Sequence, residues 1–273
     1  MGKLTALFLL SFRFLWVEAQ PPGNLATQKP VASLAGSFSD FYVDNFQNIY
    51  LISESNQIKK INDRFDSLAV YNEVRKYGDI ASLDVNNPLK IAVFYKDFAT
   101  IVVLDRYLSF RNRIDLRKAG IPEVTAFSQS FDNNYWIFDP IDNTIKKIDD
   151  NGRILQRFND FRLLFNFTFN PNTIIDQNNF IYLFDQNYGW LIFDYNGSLK
   201  QKLPAKDLTN VQVANNELVG QKDGKLVFLH PKTFTESSMT MPLTEGHILK
   251  FYLDRSNLFV LIPSGLFLYS LTK

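Results

Sequence analysis

Two histidines and a scatter of aspartates are what this sequence offers for acid–base or metal chemistry, since it contains no cysteine. His230 stands before Pro231 and His247 follows Gly246, so both read as turn residues. Neither has a second metal ligand at helical or short-loop spacing. No serine-centred nucleophile elbow, Walker loop or glycine-rich dinucleotide loop occurs. Asp149-Asp150-Asn151-Gly152 opens like a calcium loop but lacks the further ligand spacing and the closing Glu. A hairpin turn explains it better, and Asp139 and Asp142 likewise read as turn formers. The expectation is therefore no catalytic residue, no bound metal and no cofactor.

Two stretches are candidates for partner contact instead. Arg106, Arg111, Arg113, Arg117 and Lys118 cluster with Asp105 and Asp115 nearby. They read either as a solvated outer strand and loop or as a contact for an acidic protein surface. The second stretch holds Phe158, Phe161, Phe165, Phe167 and Phe169. The last three alternate and are expected to form one strand face in the core. Phe158 and Phe161 sit beside polar residues and are expected to be an exposed docking pair. Asn166-Phe167-Thr168 and Asn196-Gly197-Ser198 match the glycosylation acceptor pattern, the second also an ordinary hairpin turn; were the chain bacterial, the pattern would carry no information.

The elements that would position these residues come from a repeat. In residues 86–109, Ile91–Tyr95 and Ile101–Leu104 are β-branched and aromatic runs separated by a short polar gap. Five other stretches share the plan of an Asp/Asn turn, a β-rich run, a polar gap and a second β-rich run. Tyr50, Ala92, Trp136, Tyr182, Val219 and Val260 occupy equivalent places, at intervals of 42, 44, 46, 37 and 41 residues. An all-β period near 40–50 residues is the signature of a propeller. The expected fold is an all-β, six-bladed β-propeller of four-stranded antiparallel blades over residues 38–273. Inner strands are expected at Phe41–Val43, Ala81–Leu83, Val124–Phe127, Thr173–Ile175, Val211–Val213 and Ile248–Leu253. The sixth unit lacks an outer strand. The N-terminal segment 20–37, around Leu25–Leu34, is expected to supply it and so close the ring.

A propeller hydrolase would hold calcium on several inward oxygens of the central channel. The expected inner strands carry mostly Tyr, Ser, Thr, Gln and apolar residues, while Asp40, Asp44 and Asp84 fall at strand ends. That disfavours an enzyme.

The bulk numbers set further bounds. Apolar residues make up 46% and aromatics 15%, with 26 Phe and 12 Tyr, so a large core can form without disulfides. Lys plus Arg number 29 against 28 Asp plus Glu, which leaves no single-signed field to recruit nucleic acid or an anionic membrane. Residues 1–19 read as a signal peptide: a cationic Met1-Gly2-Lys3, an apolar Leu4–Val17 and a cleavage site before Gln20. Arg13 within the apolar run argues against a permanent span, at about 2.5–3.5 kcal/mol on insertion scales. Cleavage removes Lys3, Arg13 and Glu18 and takes the net charge from +1 to zero. Without an N-terminal Cys no lipid anchor is attached, and no membrane insertion is expected after cleavage.

The repeat pattern over residues 38–273 resembles exported six-bladed propellers of the NHL/TolB-like kind. Asn87-Pro88-Leu89-Lys90-Ile91, Phe94-Tyr95, Phe98 and Thr100-Ile101-Val102-Val103-Leu104-Asp105 resemble, more narrowly, a propeller family of the Bacteroidetes cell envelope associated with the plug of the type IX secretion translocon. The resemblance implies a non-enzymatic periplasmic protein that docks on an outer-membrane translocon or another envelope protein. The alternatives are a propeller that binds a glycan or peptide and, below it, a metal-dependent propeller hydrolase.

Overall fold

The structure is a computed structural model that describes residues 28–73, 76–165, 167–242 and 247–271. The expected signal peptide and its cleavage site, and the Asn166 acceptor, lie outside the described residues. The rest forms six four-stranded antiparallel sheets.

β1 (Ala32–Ala35) comes first in the chain but last in the ring. Blade one follows with β2 (Phe38–Val43), β3 (Ile49–Ser53), β4 (Ile58–Ile61) and β5 (Ser67–Tyr71). Blade two has β6 (Ser82–Asp84), β7 (Ile91–Tyr95), β8 (Thr100–Leu104) and β9 (Phe110–Asp115). Blade three has β10 (Ala126–Gln129), β11 (Tyr135–Asp139), β12 (Thr144–Ile148) and β13 (Ile154–Arg157), and a short helix α1 (Phe161–Phe165) leads onward. Blade four has β14 (Thr173–Gln177), β15 (Phe180–Asp185), β16 (Gly189–Asp194) and β17 (Leu199–Leu203). Blade five has β18 (Thr209–Ala214), β19 (Glu217–Lys222), β20 (Lys225–Leu229) and β21 (Glu236–Thr240). Blade six has β22 (Lys250–Leu253), β23 (Asn257–Ile262) and β24 (Gly265–Ser270), completed by β1.

The closing strand is therefore real but shorter than expected. β1 pairs with β24 from Ala32 opposite Leu268 to Ala35 opposite Gly265. Pro30 has no N–H to continue the ladder upstream. Before it the Gln28 side chain reaches the strand, donating from Nε2 to the Ser270 carbonyl at 2.6 Å.

Each pair of neighbouring blades shares one apolar cluster, so the middle strands are buried on both faces and do not alternate. β7, β8 and β11 are buried at every position. The cluster at the seam between blades six and one, with Phe41, Leu51, Phe259 and Leu266, is the smallest of the six among the described residues.

The turn from third to outer strand is one motif used four times. Asn62, Asp105, Asp149 and Asp194 each accept backbone N–H bonds from residues two and four places on. The fourth residue of each turn needs a positive φ. It is Gly152 and Gly197 in blades three and four but Phe65 (φ 66°) and Leu108 (61°) in blades one and two. Asp149–Gly152 is thus the turn that the sequence implied.

Phe165, Phe167 and Phe169 do not form a strand face. Phe165 ends α1, and Phe167 and Phe169 follow in irregular chain. All three still pack into the cluster between blades three and four, Phe169 fully and the others in part. The Asp160 carboxylate caps the helix start by accepting from the Arg162 N–H at 2.9 Å.

Candidate functional site

Two regions are built as sites: the central channel and the face that carries the turns from inner to second strand and from third to outer strand, here the turn face.

The channel is a cavity of about 780 Å³ lined by inner-strand residues that include Tyr42, Ser82, Asp84, Gln212, Lys250 and Tyr252. Asp84, which lines it, and Asp44 and Asp40 nearby are already occupied. Asp84 is buried and accepts from the Gln129 N–H at 2.7 Å, the Asn86 N–H at 3.0 Å and the Ser128 hydroxyl at 3.0 Å. Burial pushes its carboxyl above the usual range, and those three donors pull against the shift. Gln129 also donates from Nε2 to the carbonyls of Asp84 and Lys90, so this group ties blade three to blade two. Asp44 accepts from the N–H groups of Phe46 and Asn48, the Asn48 amide and the Tyr50 hydroxyl. Asp40 holds the Lys250 ammonium at 2.7 Å. Among the described residues no group of three or more His, Cys, Asp or Glu is placed to hold a metal. His230 bonds within its own turn to Thr233, and His247 is exposed; neither lines the channel.

The turn face is different. Phe46 is 69% exposed, Leu89 64% and Phe131 67%, and each lies in the turn from inner to second strand of blades one, two and three. The loops of blades two and three are joined by Asn87, whose amide donates to Asn133 Oδ1 at 2.8 Å, and by Lys90, which donates to the Asn133 carbonyl at 2.6 Å. Phe131 is exposed yet fixed. Its ring stacks on Tyr195 of blade four at 4.7 Å, and its N–H donates to Asp176 Oδ2 at 3.2 Å. The same carboxylate accepts from Trp136 Nε1 at 2.8 Å and from the Tyr195 hydroxyl at 2.5 Å. Lys147 Nζ lies 5.1 Å from the Phe131 ring centre and 4.8 Å from that of Trp136, and pairs with Asp132 at 2.5 Å. Burial and the Asp176 charge raise the Tyr195 phenol, so it stays protonated and donating. The result is a preordered aromatic platform.

Of the residues singled out in the sequence, Arg106, Arg111, Arg113, Arg117 and Lys118 are all exposed, along the outer strand of blade two and its flanking turns. Phe158 and Phe161 are not an exposed pair. Both are buried, Phe158 edge-on to Trp136 at 5.5 Å and Phe161 stacked on Phe193 at 5.1 Å. Their polar neighbours point outward while the rings fill the gap between blades three and four. Phe46, Leu89 and Phe131 were missed, although an apolar residue inside an Asp/Asn turn was the available signal.

No protein-family model matches the chain, and no curated protein matches it. Solved structures do. A catalytically inactive virginiamycin B lyase from Staphylococcus aureus with quinupristin is 11% identical, with a TM-score of 0.61 over 87% of this chain and 97% of that one. The extracellular domain of the hybrid two-component system BT3049 from B. thetaiotaomicron is 14% identical, with a TM-score of 0.58 over 84% of this chain and 33% of that one. PorZ, a surface component of the type IX secretion system of Porphyromonas gingivalis, is 10% identical, with a TM-score of 0.51 over 88% of this chain and 38% of that one. At these identities the shared property is the fold, and the chain is a six-bladed β-propeller.

Proposed function

We propose that this chain is a non-enzymatic propeller of the bacterial envelope that works by protein–protein contact, docking on an outer-membrane protein-secretion translocon of the type IX kind as its plug or scaffold. The observation that carries the reading is the turn face of blades one to three. Rigid aromatic anchors that are already exposed lose little entropy on docking, which is the usual character of an interface hot spot. The likeness to PorZ, a surface component of the type IX secretion system, supports the direction through fold alone. The likeness to a lyase favours an enzyme. Against it, the acids of this channel are spent on structural bonds and neither described histidine lines it.

The test is co-purification. A tagged chain recovered from native membranes of the source bacterium should bring with it an outer-membrane barrel of the secretion machinery. A Phe46→Ser/Leu89→Ser/Phe131→Ser variant should fold and lose that barrel. Recovery of no barrel with the unaltered chain removes the reading.

A second reading, binding of a glycan or peptide in the channel, is favoured by the size of the cavity, which lies within the range of ligand sites. Saturable binding of an oligosaccharide or peptide, lost with Tyr252→Ala, would support it.

A further inference from the structure

β9 is the outermost strand of blade two, and its far edge meets no other strand among the described residues. At six residues it is the longest outer strand in the ring, since the other five have four or five. Edge strands are commonly guarded by cations, so charge alone decides nothing. What sets blade two apart is how many of its cations lack a carboxylate partner. In blades three and four Arg153 pairs with Asp149 at 3.2 Å, Arg157 with Asp142 at 3.2 Å and Lys200 with Asp194 at 2.7 Å, and of the outer-strand cations there Lys202 instead lies over the Phe165 and Phe167 rings. On blade two, Arg106, Arg111, Arg113, Arg117 and Lys118 form no ion pair among the described residues, although Asp105 and Asp115 lie in the same segment.

The reason is local. Asp105 Oδ1 is taken by the N–H groups of Tyr107 and Ser109, and Asp115 Oδ1 by that of Lys118. The acids serve the turns; Arg117 donates to the Asp97 carbonyl at 2.7 Å and Arg106 lies over the Tyr107 ring at 4.6 Å, while Arg111 and Arg113 stand exposed on the strand itself.

The two flanks of β9 also differ. Asn112 and Ile114 face blade three, where Asn112 donates to the Asp150 carbonyl at 2.7 Å and Ile114 is buried. Arg113 sits opposite Val102, which belongs to the cluster between blades one and two, so its side chain lies on the flank toward blade one. Arg111, exposed, is the extra residue of a β-bulge, where the register passes from Leu104 opposite Phe110 to Val103 opposite Asn112. Phe110, at the start of the strand, is 49% exposed.

We propose that the outer edge of blade two receives an extended acidic segment of a partner protein, which adds to β9 as a fifth strand. The inference rests on the reading of this chain as a docking protein and names the kind of segment it takes. The edge offers main-chain donors and acceptors, which give strand addition its affinity. Alternate side chains of the incoming strand fall on the arginine flank, where Asp or Glu meets a guanidinium fork in bidentate geometry. An apolar residue at the end of the segment covers Phe110.

The probe is an acetylated, amidated octapeptide alternating Glu and Val, compared with a Lys/Val octapeptide, with a proline-interrupted acidic octapeptide and with inorganic polyphosphate. Binding is read by titration calorimetry, and the contact by amide hydrogen exchange over residues 110–115. The acidic peptide is expected to bind and to slow exchange there, and the basic and proline-interrupted peptides are expected to fail. Arg111→Glu with Arg113→Glu is expected to weaken binding about tenfold or more. The neutral pair Arg111→Gln with Arg113→Gln gives the same direction should the charge reversal fail to fold. Absence of binding by the acidic peptide overturns the proposal. So does binding that the arginine variants leave unchanged, or binding by polyphosphate and peptide alike with no protection of 110–115. Success here with no barrel recovered from membranes would retain the edge site and remove the translocon. The reverse result would retain the translocon and remove the edge site.

Discussion

The Lys250 ammonium lies 2.7 Å from the Asp40 carboxylate and 3.5 Å from the centre of the Tyr42 ring, which joins the last blade to the first inside the channel. This seam has the smallest apolar cluster, so the ion pair and the β1–β24 ladder hold what packing holds elsewhere. Removing one partner strands the other in a recessed site. Lys250→Met is expected to lower unfolding stability by about 1.5–3 kcal/mol, the range for a hydrogen bond to a charged group. Lys250→Met with Asp40→Asn should lose less than the two single changes added together. Urea unfolding of the four proteins checks both points; strict additivity would mean that the pair is not coupled.

Alkaline pH should destabilise the protein through its phenols. Burial raises the phenols of Tyr42, Tyr50, Tyr95 and Tyr135, and neighbouring Asp40, Asp44 and Asp150 add to the effect at Tyr42, Tyr50 and Tyr135. A phenol raised in the folded state favours folding below about pH 10, its unfolded value, and that contribution is lost as pH rises through the folded value. Lys250 and Lys60 work in the opposite direction, because burial lowers both against the pull of Asp40 and Asp44. Two lysines are outweighed by the larger number of raised tyrosines. The urea midpoint should therefore fall between pH 9 and pH 11, and phenolate absorbance should rise abruptly with unfolding. A flat midpoint over that window would contradict this.

Two glycines with positive φ should respond differently to the same change. A Cβ on Gly189 would stand 2.3 Å from the Leu203 carbonyl oxygen and 2.7 Å from the Ala205 nitrogen, both backbone atoms. A Cβ on Gly224 would meet nothing within 4 Å. Gly224→Ala carries only the left-handed strain, about 1–2 kcal/mol. Gly189→Ala must also displace a strand and is expected to lose more, with a clearly lower thermal midpoint. Equal midpoints would show that the approach of β17 to β16 at this turn is not fixed.

The ring was legible because its hairpins are written locally. Ile91–Tyr95 and Thr100–Leu104 are apolar at nearly every position and bounded by turn residues, so strands and period could be read without tertiary knowledge. The inner strands were found to within three residues, because each precedes an Asp/Asn turn. What failed depended on neighbours distant in sequence. Phe158 lies among Arg157, Asn159 and Asp160, and nothing local says that Trp136 and Phe193 wait to receive it. Thr144–Ile148 reads as a half-polar strand, yet Lys146 is buried because Asp139 and Asp142 hold its ammonium at 2.5 and 2.6 Å. Those aspartates were read as turn formers and also serve as its counter-ions. Phe131 was missed because its support, Tyr195 and Asp176, comes from the next blade.

The docking face can be tested by placing a photoreactive amino acid in place of Phe131 and, separately, in place of Leu163, which is exposed on the opposite face next to α1's buried Phe161. Each protein is expressed in the source bacterium, irradiated, and its adducts identified. The account predicts a cross-link from position 131 to an outer-membrane barrel of the secretion machinery and none to it from position 163. A barrel adduct from position 163 alone, or none from either, would contradict it.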